Sequence, residues 1–516
     1  MKIQRAIFIH FVNLALGLAS AISLNSLLVY KDYNLYENGK WASTKAQSTK
    51  ALLAAWTMLY SKPGVSQNHL NISAWHGYQE LIYKKALKFE TVSFNCRSFG
   101  RPFSFILNKT DTGSTGVYFN YDNDTCCVFT SDAEGKFIEK KYFKIGHSLN
   151  NPNWNQVQCW LKNGHVSISV NKNVYAEIKT DLPDSVHIGF RGSGNDIYID
   201  DIIISDARQK TFLIDDFTPP FSVKWITVVF LIILIICYLY IAKRHSANFI
   251  LLNAVILCGI LIYARVYFYD LSGLYPTDPN PKYLIRKECK IEGPGELNER
   301  LSKIYPLHET AGHKPVILFV GSSQTWGAGM SDSAKAYPHR IEQYLRAYFN
   351  NEDIVVINTG ICGFTSDQLL ALYKSEWVKY KPLLTVIDLS NNDFDTAVFR
   401  KSTRGFIDEN QSRNIKTLII LEPNDKITAR LLYNHEIMKA EAIRAGIDYE
   451  EEQSYMDSCS HSGFLWWDFV HMTDYGYHVF AERLTLPVIN ILESDSTINH
   501  GGHKLKHHVK AEPYTH

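Results

Sequence analysis

The sequence predicts a multidomain membrane protein, in which transmembrane helices separate an all-β sandwich from a three-layer α/β domain. Three observations predict this fold class. Two long apolar segments without acidic residues lie near the middle of the chain, short β-rich runs recur before them, and strand and helix patterns alternate after them. A chain of 516 residues is also too long for one hydrophobic core.

The composition excludes several classes of partner. The 53 basic and 52 acidic residues nearly cancel, so no overall field favours nucleic acid. Neither a zinc-finger spacing nor a phosphate-binding glycine loop occurs, so we expect no nucleic-acid partner, no cofactor and no metal site. Residues 496–516 are rich in histidine and are expected to form a flexible polar tail.

The first element, residues 1–30, is expected to be a signal anchor or a signal peptide. An apolar segment at 6–29 follows Lys2 and Arg5, which fits both a cleaved leader and a membrane anchor. Residues 31–85 have few periodic signals and are predicted to be a partly helical linker region.

Residues 86–215 are predicted to form the β-sandwich. Runs such as FSFILNK and HVSISVN recur at short intervals, and Asn163 with Gly164 between two alternating runs indicates a hairpin. The final stretch, VHIGFRGSGNDIYIDDIIISD, resembles the last strands of concanavalin-like (laminin-G-like) jelly rolls. That resemblance implies glycan binding. The aromatic side chains of the region either offer stacking faces to a sugar or fill the core of the sandwich.

Residues 223–269 are predicted to form a two-helix transmembrane hairpin, with spans at 225–242 and 249–267. The alternative is a buried hairpin of a soluble protein. Lys243 and Arg244 lie in the short loop between the spans, and the positive-inside rule places them with Lys2 and Arg5 in the cytoplasm. We therefore expect a cell-membrane protein, with both globular domains on the extracytoplasmic (periplasmic or extracellular) side.

After a linker at 270–314, residues 315–495 alternate strand and helix patterns. This alternation predicts a parallel sheet with helices on both faces. The predicted strands are 316–320, 354–358, 384–389 and 417–421, and the predicted helices are 336–348, 365–379, 433–446 and 475–492.

Two short segments of this domain indicate nucleophilic catalysis. Asp468 and His471 are three residues apart, so the carboxylate can hold the imidazole in one tautomer. Far upstream, a strand ends in Gly321, Ser322 and Ser323, a tight turn that exposes a serine at the strand's carboxyl end. Sites of open α/β sheets form at that edge, so the three residue types of a Ser-His-Asp triad are available there.

Four segments in order then line up with one family: residues 321–323, 358–363, 390–393 and 468–471. They resemble the SGNH (GDSL-type) hydrolases and acyltransferases, which have a flavodoxin-like fold. The resemblance implies that Ser323 is the nucleophile, that His471 is the base and that Asp468 orients it.

The same resemblance implies an oxyanion hole made by the N–H groups of Ser323 and Gly363 and the side chain of Asn392. Two positions depart from the family pattern: Ser322 stands where an acid is usual, and Ser390 stands where a glycine is usual. Taken singly, His471 could be an ordinary satisfied histidine, and Asn392 could be a turn former.

The sequence therefore predicts a membrane-anchored extracytoplasmic serine esterase, a carboxylic ester hydrolase of SGNH type. It would remove O-acyl (acetyl) groups from a glycan through an acyl-enzyme, because a possible glycan-binding sandwich shares its side of the membrane. One alternative is an O-acyltransferase that acts on an extracellular polysaccharide with a polytopic membrane partner. Another is a non-catalytic glycan-binding scaffold.

Overall fold

The computed structural model of the chain describes parts of residues 31–215, the whole of 292–493, and residue 498. The chain divides into two compact units. The first contains most of the described residues before 216, and the second contains 292–493 together with 111–114 and 130–139.

The strands before residue 216 form two antiparallel sheets. The larger sheet has ten strands in the order β14-β13-β12-β7-β16-β17-β1-β2, with β5 beside β16 and β4 beside β5, and the smaller has seven in the order β11-β10-β9-β8-β15-β6-β3. The strands are β1 (Lys31–Glu37), β2 (Lys40–Ala46), β3 (Trp56–Met58), β4 (Gly64–Ser66), β5 (His69–Asn71), β6 (Gln79–Tyr83), β7 (Thr91–Ser98), β8 (Phe103–Thr110), β9 (Gly113–Asp122), β10 (Thr125–Asp132), β11 (Phe137–Lys144), β12 (Asn151–Lys162), β13 (His165–Val170), β14 (Asn173–Lys179), β15 (Gly189–Gly192), β16 (Ile197–Ser205) and β17 (Thr211–Asp215).

The core of the first unit lies between these two sheets. Buried residues alternate with partly exposed ones along β7, so one face of that strand is apolar. Phe94 on β7 packs against Phe105 and Phe190 on β8 and β15 of the other sheet, with ring centroids 5.1 and 5.0 Å apart. The two sheets are therefore held together by interlocking aromatic side chains.

The predicted fold class, a multidomain membrane protein with transmembrane helices, is wrong. Among the described residues, no helix combines the length and the apolar character needed to cross a bilayer. The predicted apolar spans at 6–29, 225–242 and 249–267 lie outside those residues. Nothing in the described strands gives evidence for the predicted concanavalin-like jelly roll either. The structure shows instead a mixed α/β fold, with one parallel sheet and two additional antiparallel sheets.

The second unit contains a parallel sheet of five strands. Its strands are β18 (Val316–Gly321), β19 (Val355–Asn358), β20 (Leu384–Asp388), β21 (Lys416–Leu421) and β22 (Asp448–Glu451). Its helices are α1 (Pro294–Ile304), α2 (Leu307–Thr310), α3 (Ser323–Trp326), α4 (Tyr337–Phe349), α5 (Ser366–Ser375), α6 (Thr396–Ser412), α7 (Ala429–Ala445), α8 (Gln453–Cys459) and α9 (Asp474–Glu493), with 3₁₀ turns at Ser333–Lys335, Trp377–Tyr380 and Ser460–Ser462.

Alternating residues of the strands enter two different cores. Ile317 and Phe319 of β18 pack with α4 and α9 on one face, and Val316, Leu318 and Val320 pack with α5, α6 and α7 on the other. Four of the five strands are largely apolar, because a sheet covered on both faces has no solvated side. The exception is the edge strand β22.

The order of this sheet is β19-β18-β20-β21-β22, and all neighbours are parallel. Numbered from the first strand along the chain, that order is 2-1-3-4-5, which places the topological switch point between β18 and β20. In such sheets the crevice for ligands lies outside the carboxyl ends of the strands at the switch point. The loops after β18 and β20 contain two of the predicted site residues, Ser323 and Asn392.

Candidate active site

The predicted nucleophile lies directly after β18. The strand ends at Gly321, Ser322 turns the chain, and Ser323 begins the one-turn helix α3. Ser323 is half-buried, whereas its neighbours Ser322 and Gln324 are buried. This strand-to-helix turn places the Ser323 hydroxyl at the carboxyl edge of the sheet, with the free N–H groups of a helix start beside it.

Asp468 and His471 form the expected pair in a tight turn before α9. His471 Nδ1 donates to Asp468 Oδ2 at 2.7 Å, because a carboxylate only accepts. The second oxygen, Oδ1, accepts the backbone N–H groups of Val470 and His471 at 2.7 and 2.6 Å. These bonds fix the carboxylate, which in turn fixes the imidazole ring and its tautomer.

The pair faces the serine. His471 Nε2 lies 2.7 Å from Ser323 Oγ, and in the tautomer set by Asp468 this nitrogen accepts from the hydroxyl. The structure therefore brings together three residues that are 148 and 3 positions apart in the sequence. The arrangement is the hydrogen-bonded chain that a serine nucleophile requires, with the base in contact with both its partners.

Gly363 and Asn392, the two predicted oxyanion donors besides Ser323, belong to neighbouring loops. Gly363 has φ +78°, a conformation that suits glycine, and no atom lies within 4 Å of where its Cβ would be. Asn392 Nδ2 donates to the carbonyl of Phe364 at 3.0 Å. That bond joins the Asn392 loop to the Gly363 turn and uses one of the two amide hydrogens, which leaves the other for a substrate oxygen.

The loop after β19 also packs tightly on the nucleophile helix. Asn358 Nδ2 donates to the carbonyl of Thr325 at 2.8 Å, and its Oδ1 accepts the N–H of Gly360 at 2.9 Å. A Cβ atom at Gly360 would lie 2.2 Å from the backbone nitrogen of Trp326, so only glycine allows this approach. The second of the four segments, residues 358–363, thus packs closely against the helix that begins at Ser323 in the first segment.

Sequence reasoning missed Gln324, which links three loops. Its Nε2 donates to the carbonyls of Pro423 and Val470 at 2.9 and 2.8 Å, and it contacts Asn424 Oδ1 at 3.0 Å. Val470 lies between Asp468 and His471, so this side chain connects the nucleophile helix to the turn of the pair. A long polar residue directly beside the nucleophile is the signal that could have identified it.

Sequence reasoning also missed Glu422, the first residue after β21. It has no exposed surface, and its carboxyl group faces Ser322 and Ser390, the two positions that depart from the family pattern. Ser390 Oγ donates to Glu422 Oε2 at 2.7 Å, and Ser322 Oγ lies 3.4 Å from Oε1. Asn391 donates to Oε2 twice, from its backbone N–H at 2.8 Å and from Nδ2 at 2.9 Å.

Burial shifts the titration of the groups under the site. The pKa of Asp388, the last residue of β20, is raised by burial to about 6, although Thr325 Oγ1 and Tyr337 OH donate to it at 2.8 and 2.7 Å. Burial and the nearby Asp388 carboxylate hold the pKa of Glu422 well above its ordinary value.

Burial lowers the pKa of His435, whose Nε2 lies 3.3 Å from Ser390 Oγ, to about 4. His435 is therefore neutral at physiological pH.

An exposed aromatic ring lies two residues beyond Asn392. Phe394 is 80% exposed, and the guanidinium carbon of Arg430 lies 3.9 Å from the centroid of its ring. Arg430 Nη2 also donates to the carbonyl of Asn391 at 2.9 Å. The loop is held from below, because Asp393 accepts from the backbone and hydroxyl of Ser366. The ring is thus exposed to solvent on a loop that these hydrogen bonds hold to its neighbours.

Neither a family model nor a curated protein sequence matches the chain. Solved structures do resemble it over about a third of its length. They include a lipase/acylhydrolase from Enterococcus faecalis (19% identity, 34% of this chain and 96% of that one, TM-score 0.31) and an acetylxylan esterase from Geobacillus stearothermophilus (18%, 34% and 93%, TM-score 0.29). A two-domain esterase active on acetylated mannans is similar over 38% of this chain and 53% of its own length, at 18% identity and a TM-score of 0.30.

Proposed function

We propose that the protein is a serine esterase that works through an acyl-enzyme. The observation that carries this proposal is the continuous chain from Ser323 Oγ to His471 Nε2 and from His471 Nδ1 to Asp468, with both links at 2.7 Å. These two contacts, one of which joins residues 148 positions apart, are not needed to build the fold. They match instead the requirement of a hydroxyl that must lose its proton as it attacks.

The reaction divides into two steps. Ser323 Oγ attacks the ester carbonyl while His471 takes its proton, and the imidazolium formed is stabilised by Asp468. Collapse of the tetrahedral intermediate breaks the ester bond, and His471 returns the proton to the departing alcohol. Water, activated by His471, then attacks the acyl-serine and releases the carboxylic acid and the free serine.

The negative charge that develops on the carbonyl oxygen needs fixed donors. Ser323 N–H lies at the start of α3, where no helix carbonyl accepts it. We assign the other two donors to the loops of Gly363 and Asn392, which the bond from Asn392 to Phe364 joins. Donors fixed before the reaction stabilise the oxyanion without further reorganisation. The hydrogen bond from Asn392 to Phe364 supports the assignment, because it fixes the distance between the two loops that carry these donors.

We propose an O-acetylated glycan as the substrate. The exposed Phe394 ring lies beside the Asn392 loop, and a flat apolar face of this kind suits the C–H face of a sugar ring. Acetyl is the acyl group expected from the sequence analysis. Location on the extracytoplasmic side of a cell remains a prediction of the sequence.

The test is hydrolysis of p-nitrophenyl acetate by the full chain, with wild type beside Ser323→Ala. We expect the substitution to lower kcat/KM by on the order of 1,000-fold or more. Ser412→Ala is the matched control, since that serine is exposed and bonds only within its own helix. Ser323-independent turnover, or none in a folded wild type, would refute the esterase proposal and favour a glycan-binding scaffold.

A second assay separates hydrolysis from acyl transfer. Acetylated xylo-oligosaccharide is offered alone and then with an excess of an unacetylated sugar acceptor, and free acetate is measured. A hydrolase releases acetate at the same rate in both cases. A transferase hands the acyl group to the sugar hydroxyl instead of water, so acetate release falls as the acceptor is added.

A further inference from the structure

We infer that Glu422 is a positioning residue for the active site, because it fixes the loops of Ser323 and Asn392 relative to each other. Positions 322 and 390 are serines because the carboxyl group of Glu422 needs hydroxyl donors. This inference rests on the proposed esterase function. It concerns how the site is held and adds no group that touches the substrate.

The position of Glu422 in the sheet makes this role possible. β21 is the neighbour of β20, and β20 is the neighbour of β18, so the carboxyl ends of the three strands lie side by side. Glu422 follows β21, Ser390 follows β20 and Ser322 follows β18. One glutamate side chain therefore spans the ends of three strands, including both strands of the switch point.

Its contacts are made next to the residues that would react. Asn391, which donates to Oε2 from both its backbone and its side chain, directly precedes Asn392. Ser322, which faces Oε1, directly precedes Ser323. A shift of either loop by about 1 Å would misplace an oxyanion donor or the nucleophile, and such errors can cost on the order of 100-fold in rate.

The donor set explains the two departures from the family pattern. Glu422 is fully buried, and its four donors are two serine hydroxyls and two amide groups, none of which is a cation. A buried carboxyl group needs such partners. An acid at position 322 would set a second carboxyl group against Glu422, and a glycine at 390 would remove its shortest contact.

The first experiment compares the full chain with Glu422→Ala and Glu422→Gln in p-nitrophenyl acetate hydrolysis, per mole of folded protein. We expect Glu422→Ala to lower kcat by on the order of 100-fold while KM changes less than about threefold, since oriented donors act in the transition state. Glu422→Gln should lose less than about tenfold, because its amide oxygen can accept the same donors and its NH₂ group can face Ser322.

Glu441→Ala is the matched control. Glu441 is as buried as Glu422 and belongs to the same unit, but it bonds to arginines on helices and not to the loops of the site. The control should lose stability and keep kcat. If Glu422→Ala, once folded, keeps kcat within about threefold of wild type, or if only KM changes, the positioning role is refuted.

A charge-relocation series gives a readout that general destabilisation would not produce. Ser322→Asp alone places two carboxyl groups together and should lower kcat on the order of tenfold or more. Ser322→Asp combined with Glu422→Gln restores a single carboxyl group at the same place and should recover most of that loss. A double variant that is no better than Ser322→Asp alone would overturn the inference.

Hydrogen exchange tests positioning without relying on catalysis. Glu422→Ala should speed amide exchange in residues 389–395, and Glu441→Ala should leave that segment unchanged. If wild type shows no Ser323-dependent hydrolysis, the proposed function fails, and the exchange result still decides the role of Glu422. Unchanged exchange in residues 389–395 of Glu422→Ala would refute the inference in either case.

Discussion

Two buried glutamates of the same unit have opposite surroundings. Glu441, on the face of α7 next to α6, receives Arg404, Arg400 and Arg444 at 2.9, 3.1 and 2.7 Å. Its hydrogen bond with Arg404, followed by those with the other arginines, lowers its pKa to about 2. Glu422, at the strand ends, receives hydroxyl and amide donors, and burial holds its pKa well above the ordinary value.

The difference shows what each region is built for. The arginines at the helix interface are positively charged and bond to the ionised carboxylate of Glu441. The ion cluster therefore stabilises the packing of α6 on α7 at every pH at which Glu441 is ionised. The strand-end region surrounds its acids with directional neutral donors, which fix loops but leave a charged carboxyl group costly. Changes at the helix interface should therefore alter stability alone, whereas changes to the loop-fixing groups at the strand ends should alter rate.

The largest effect should come from Asp468→Asn at the strand ends. Asparagine would still fit the turn but would favour the wrong His471 tautomer, so kcat should fall by roughly 1,000- to 10,000-fold with little loss of stability. The measurement is kcat for p-nitrophenyl acetate together with the thermal unfolding midpoint. Asp353→Asn, in an exposed loop, is the control. A loss of kcat below about tenfold would contradict the role of Asp468 in orienting His471.

The strands and helices around the site could be read from the sequence because each has a sharp apolar pattern. The strand predicted at 316–320 corresponds to β18, and the helix predicted at 475–492 corresponds to α9, Asp474–Glu493. Their buried faces are set by local periodicity, and every residue of β18 is buried. The predicted proximity of Ser323, Asp468 and His471 followed from their spacing, from the strand-end position of the serine and from a family resemblance, and not from such patterns.

The elements that were missed lack this local signal. Helix α6, Thr396–Ser412, buries Thr403 and Asn410 among its apolar residues, so its apolar stripe is interrupted. Strand β22, DYEE, is an edge strand with mostly exposed charged side chains, and only its pairing with β21 makes it a strand. Glu422 was missed for a related reason: its partners come from two other strands, which only the tertiary fold brings together.

The next effect concerns the pH dependence of stability at the strand ends. The pKa of Asp388 is raised from 3.8 to about 6, so its contribution to stability is present below about pH 3.8 and is lost as pH rises through about 6. Asp388→Asn cannot ionise, so between pH 4 and 7 its stability should rise relative to wild type by about 2–3 kcal/mol.

The measurement for Asp388→Asn is the urea unfolding midpoint of both chains across this pH range. A difference between them that does not change with pH would show that the carboxyl group titrates normally. Asp353→Asn, whose side chain lies in an exposed loop, should show no such trend.

At the helix interface the sign should be opposite. The pKa of Glu441 is lowered from 4.5 to about 2, so its contribution is present above about pH 4.5 and is lost as pH falls through about 2. Wild type should exceed Glu441→Gln by about 1–2 kcal/mol at pH 7, a reduced value because the arginines are nearly half exposed. This difference in the free energy of unfolding should become smaller below pH 4. A difference that grows there would contradict stabilisation by the ion cluster.

The smallest effect is expected for Phe394→Ala, which tests contact with the glycan and not the strand-end or helix-interface regions. Phe394 is exposed and its ring contacts Arg430, so Phe394→Ala should leave p-nitrophenyl acetate hydrolysis within about twofold of wild type. With acetylated xylo-oligosaccharide, loss of the stacking face should raise KM by roughly three- to tenfold at unchanged kcat, which is the pattern of lost ground-state binding. Leu432→Ala, an exposed apolar residue on α7, is the control. Equal losses on both substrates would mean that the ring supports the loop, and Phe394 would then belong with Glu422 and not with the substrate.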